Sequence, residues 1–126
     1  MRYIGEQEFK TATRFLFLTM TIQVIQSDIK RLEKLSPFKI NEPYLALLHR
    51  LEIKATAERR WLKQEMYKEN IQVILSDKDG TFTEYTFICK GKEEKRRYFN
   101  PAIRSKVRNM IEELISGEEN KTETCQ

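Results

Sequence analysis

The side chains that can do chemistry here are few, and most stand alone. Asp77 and Asp79 flank Lys78 and precede Gly80 and Thr81, so two carboxylates sit two positions apart beside a flexible residue. Such a pair can ligate a cation. An EF-hand loop wants acidic ligands at alternate positions, Gly at the sixth and Glu at the twelfth, whereas Gly80 follows Asp79 directly. The same residues are ordinary turn chemistry, in which Asp accepts hydrogen bonds from nearby backbone and Gly supplies positive φ. His49 has no Cys or second His beside it and reads as a solvent-facing helix residue. Cys89 and Cys125 offer neither a zinc spacing nor a disulfide framework, which suits a reducing cytosol. No Ser, Cys and His set builds a nucleophile with its base. The expectation is no catalytic site, no metal and no cofactor.

One string is similar to a known motif. Val73-Ile74-Leu75-Ser76-Asp77-Lys78-Asp79-Gly80-Thr81 resembles the first motif of the haloacid dehalogenase phosphatase family, an apolar strand followed by D-x-D-G-T. The resemblance implies Asp77 as phosphoryl-accepting nucleophile, Asp79 as general acid/base and a magnesium ion at the site. It covers nine residues. The fold it implies is a doubly wound parallel sheet with the motif strand placed early. Here helix-patterned sequence fills the chain up to Asn70, and a second strand pattern follows the motif at once. The turn is the preferred reading, with a phosphatase as the minor alternative.

Charge distribution says more than any motif. From Lys90 to Arg108 there are eight cations against Glu93 and Glu94, a net +6 in a chain of net +4, so everything else sums to −2. Tyr98 and Phe99 lie among them. Clustered cations with interleaved aromatics are the footprint of a phosphate-backbone contact. That nominates Lys95, Arg96, Arg97, Arg104, Lys106 and Arg108 as partner-binding residues. Arg104 and Arg108, four apart, share one helical face near a helix N-terminus that favours anions. The competing reading is a charged edge strand followed by a solvated helix face. No recognition-helix, zinc-finger or RNA-stacking signature is present, so nucleic-acid binding is expected to ignore sequence.

The elements that position these residues follow from hydrophobic spacing. Over 6–35, Phe15, Leu18, Ile22, Ile25, Ile29 and Leu32 recur at intervals of 3, 4, 3, 4 and 3, an a/d seam. Phe9, Leu16, Phe17, Met20 and Val24 make the stripe broader than one neighbour can cover. Phe15, Leu18, Ile22 and Ile25 are therefore nominated for self-association as a homodimer. Asn41 as N-cap and Pro43 in the first turn open a second helix over 42–69, carrying Leu48, Leu51, Ala55 and Leu62 and interrupted by Glu58. The pair reads as an antiparallel αα-hairpin.

At Asn70 the period drops to 2. Strands over 71–76, 81–90 and 95–99 make an antiparallel meander. A three-residue loop Lys78-Asp79-Gly80, with Gly80 left-handed, pairs Leu75 with Thr83, Val73 with Tyr85 and Ile71 with Phe87. Asn100-Pro101 starts a last helix over 101–116 with Ile103, Val107, Met110, Ile111 and Leu114 as its stripe. Residues 118–126 hold no hydrophobe besides Cys125 and read as a disordered tail.

Taken together, 126 residues that are 40% hydrophobic and 33% charged predict one compact α+β domain over 1–117. The most apolar stretch, 15–25, is half the roughly 20 residues a membrane span needs, so no membrane segment and a cytoplasmic location are expected. No small-molecule substrate is evident. The expected function is a small non-enzymatic interaction or regulatory protein acting through its helical hairpin and self-associating. Nucleic-acid binding through 90–108 is the alternative.

Overall fold

The structure is a computed structural model describing the backbone of residues 4–124 and the side chains of residues 4–118. The elements run α1 (Glu6–Leu35), α2 (Glu42–Lys68), β1 (Ile71–Lys78), β2 (Phe82–Cys89), β3 (Lys92–Phe99) and α3 (Asn100–Thr124). Two helices, an antiparallel sheet of order β1-β2-β3 and a C-terminal helix make the α+β fold read from the sequence.

The broad stripe of α1 covers three neighbours within one chain. Leu18, Ile22, Ile25 and Ile29 pack with Leu51, Ala55 and Leu62 of α2 and Leu114 of α3. Burying one such side chain fully contributes about 1.5–3 kcal/mol. Toward its N-terminus α1 turns to the sheet, where Ala12 joins Ile4, Met66, Ile71, Phe87 and Cys89 in a second core. Phe9 lies 4.8 Å from the Phe87 ring, and Phe17 meets Tyr98 edge-on at 5.4 Å. The seam, read as core for the most part and as broad enough to admit a second copy, packs on α2 and α3 within the chain, because its extra apolar width found several partners there.

Helix ends hold two departures from the expected pattern. Asn41 makes no side-chain cap on α2. Its Nδ2 donates to the Leu32 carbonyl at 2.8 Å and its Oδ1 accepts from the Phe38 N–H at 3.3 Å, so it ties the hairpin loop to the end of α1. The Leu32 carbonyl thus accepts twice, from Asn41 and from the Ser36 N–H at 3.1 Å. At the other end, α3 does not stop at Ser116 but runs through Gly117 to Thr124. Arg50 and Lys54 of α2 hold Glu118 at 3.3 and 3.4 Å, anchoring the turn just past the glycine. Of the segment expected to be a disordered tail, 118–124 is helical, and 125–126 lie outside the described residues.

The β1–β2 register is offset by two residues from the expected one. Ile71 pairs with Cys89, Val73 with Phe87 and Leu75 with Tyr85. A shift of two preserves the faces, since side chains alternate with a period of two. A bulge between Leu75 and Asp77 absorbs one residue, so Asp77 rather than Leu75 opposes Glu84. Gly80 takes no positive φ. Within the hairpin turns the left-handed residues are Lys90 and Gly91, at φ 51° and 81°, the two central positions of the β2–β3 turn. Positive φ at both is what a two-residue type I′ turn requires. β3 accordingly starts at Lys92, ahead of the expected 95.

Candidate functional site

The Asp77–Thr81 string is the end of β1 and the turn, residues 79–81, that joins it to β2. Asp79 Oδ1 accepts from the N–H groups of Thr81 and Phe82 at 2.8 and 2.7 Å. Those two amides, Phe82 first, hold the Asp79 carboxyl below its ordinary range, and nearby Arg97 adds to the effect. Asp77 Oδ1 accepts from the Lys78 N–H at 2.9 Å. Asn100 fastens the turn to α3, accepting from Thr83 Oγ1 at 2.7 Å and donating from its Nδ2 to the Asp79 carbonyl at 3.2 Å. The next residue in the motif frame is a strand partner, not a helix behind a parallel strand. Among the described residues no group of three His, Cys, Asp or Glu side chains is placed to hold a metal.

Strand alternation and helix geometry send the six nominated cations to four places. Lys95 and Arg97 point to the outer sheet face, Arg97 opposite Glu84 with its guanidinium 4.6 Å over the Phe82 ring. Glu93 and Asp77 fall on that same face by register, so it is not a basic surface. Arg96 turns inward, donating to Glu94 at 2.8 Å and lying 4.7 Å over Phe9. Arg104 and Arg108 line a groove against Val24 and Arg31 on one side of α3, with Arg108 3.7 Å from Glu112. Lys106 lies on the other side, its Nζ 5.5 Å from the Phe17 ring. A run that is continuous in sequence is not one patch in space.

The four residues nominated for self-association are inside. Leu18, Ile22 and Ile25 are buried, and Phe15 is packed between both cores with Arg59 4.7 Å over its ring. In this packing Leu18, Ile22 and Ile25 present no surface to a second copy, and Phe15 is half-buried.

Two features stand out that sequence reasoning missed. The first is a groove of about 410 Å³ between α1 and α3, floored by Phe9, Phe17 and Met110 and rimmed by Lys10 and Lys106. At its side Arg14 donates from Nε and Nη2 to the Glu58 carboxylate at 2.6 and 3.0 Å, and from Nη2 to Glu113 at 2.7 Å. These bonds, that to Glu58 foremost, raise the Arg14 pKa and join all three helices at one guanidinium. The one signal in the sequence was Glu58, an acid interrupting an apolar stripe. Nearby, Glu94 is buried with Oε1 lacking a hydrogen-bond partner.

The second feature is the outer face of α2. Ile53, Ala57 and Trp61 are four apart, hence on one face, and Ile53 and Trp61 are 70% and 58% exposed. Arg50, Lys54, Arg60 and Lys68 flank them on the same helix. Trp61 also walls a cleft of about 340 Å³ beside Gln7, Glu8 and Glu65. No helix among the described residues is long and apolar enough to cross a membrane.

Comparison with known proteins gives a family. The family model described as YhjD protein matches residues 3–119, from before α1 to near the end of α3. A protein of Bacillus subtilis (strain 168) named "Uncharacterized protein YhjD" is 32% identical over 111 residues, covering 88% of this chain and 92% of that one. No solved structure matches. The chain belongs to the YhjD family.

Proposed function

We propose that this chain is a non-enzymatic interaction protein that docks a partner protein on the outer face of α2. The observation that carries the reading is the exposure of Ile53 and Trp61 on one helical face, with the small Ala57 between them. Large apolar side chains left open on one stripe mark interaction surfaces, and tryptophan is among the residues that most often dominate binding energy. Ala57 lets a second helix approach closely. Arg60 has no carboxylate within 4.0 Å among the described residues, Lys68 pairs only with the neighbouring Glu65, and Arg50 and Lys54 already hold Glu118. The flank favours a partner segment with apolar anchors and an acidic group for Arg60, and it disfavours a second copy presenting the same cations. Helix-in-groove recognition works with this chemistry.

The experiment compares the wild-type chain with Ile53→Glu and Trp61→Ala as bait in extract of the native host. A partner that depends on the face is retained by the wild type and lost with both variants, each truncation costing about 2 kcal/mol or more if it is a hot spot. Equal retention by all three removes the α2 face from the reading. Sedimentation equilibrium of the free chain is expected to show a monomer, and a dimer abolished by Ile53→Glu would turn the reading to self-association.

A further inference from the structure

We propose that the groove between α1 and α3 binds an aliphatic carboxylate, its hydrocarbon chain on Phe9, Phe17 and Met110 and its head group between Lys106 and Lys10. The volume of about 410 Å³ lies within the roughly 300–1,000 Å³ typical of small-ligand sites. The floor defines the body of the ligand. Its aromatic and thioether surfaces offer contact and no hydrogen bonds; of the uncharged polar groups in the wall, Thr13 Oγ1 donates to the Phe9 carbonyl at 2.7 Å, which leaves the Asn109 amide. A sugar or base would exchange most of its solvation there for the single amide of Asn109, whereas an alkyl chain loses nothing.

The rim defines the head group. Lys10, Arg14 and Lys106 face a single carboxylate among the lining residues, Glu113. Arg14 holds that carboxylate at 2.7 Å and Glu58 at 2.6 Å, so both acids are engaged. The lining itself carries net positive charge, and with Glu58 and Glu6, the partners of Arg14 and Lys10, the three cations meet three carboxylates, none of them at Lys106. The Lys106 ammonium sits over the Phe17 ring with no carboxylate within 4.0 Å among the described residues. Lys10 reaches Glu6 only at 3.9 Å, in an exposed pair that contributes little. A ligand carboxylate gives Lys106 the counter-charge it lacks at the open end of an apolar floor.

The test titrates the whole chain with dodecanoate below its micelle concentration, following backbone amide shifts and calorimetry. One-to-one saturable binding is expected, with shifts centred on 9–17 and 106–113. Lys106→Glu should weaken it about tenfold or more, Lys106→Gln should weaken it without charge reversal, and Met110→Trp should fill the floor and abolish it. Dodecanol, equal in length and uncharged, should bind about tenfold more weakly than dodecanoate. Trp61 emission should stay unchanged, which separates this site from docking on α2. No saturation at millimolar dodecanoate overturns the proposal. So do shifts centred outside the groove, and so does dodecanol binding as tightly as dodecanoate.

Discussion

Arg14 donates to carboxylates from two different helices, and the geometry of its bond to Glu58 is bidentate. Lysine is a point charge and cannot reproduce that fork. Arg14→Lys is therefore expected to lower stability by about 1–2 kcal/mol, the lower part of the range for charged hydrogen bonds because the pair is partly solvated. The check is a shift of the urea midpoint at unchanged m. Asp79 acts at the same scale through its two amide donors. Its folded pKa lies below the unfolded one, so its contribution is present above the unfolded value, about 3.9, and is lost as pH falls through the folded value. Asp79→Asn keeps an oxygen acceptor for the turn and removes the titration. Thermal melts from neutral pH downward are expected to show the variant folded, with a shallower acid loss than wild type.

At the scale of elements, Gly117 is the clearest place to gain stability. It lies within α3, takes no positive φ, and a Cβ there would meet only the Lys54 ammonium, the movable end of a long side chain. Gly117→Ala is expected to stabilise the chain by about 0.5–1 kcal/mol from helix propensity, read as a higher melting temperature. The same residue shows where sequence reading ends. The heptad of α1 and the change of period at Asn70 are local patterns, and the helical hairpin and meander were legible from them. The end of α3 was not, because Glu118 is held by Arg50 and Lys54 from another helix. The β1–β2 register was missed by two because the bulge after Leu75 removed the Leu75–Glu84 conflict on which the loop length was chosen. Of the candidate site, Lys106 was named for its charge, but its place over Phe17 depends on where α3 crosses α1.

Over the whole molecule, the fold closes the surface that the heptad seemed to leave open and leaves another face of α2 open. Leu18, Ile22 and Ile25 are buried among three helices, while Ile53 and Trp61 face solvent. The six nominated cations are divided among both faces of the sheet and the two sides of α3, and the outer sheet face is balanced by Asp77, Glu84 and Glu93. What remains concentrated is the basic, apolar face of α2. Its occupancy can be read directly by placing a photoactivatable benzophenone side chain at position 57, between Ile53 and Trp61, in the native host. The account predicts one dominant adduct, to an acidic segment of another protein, that disappears when Ile53→Glu is added. An adduct confined to a second copy of this chain, or a yield indifferent to Ile53→Glu, would contradict it.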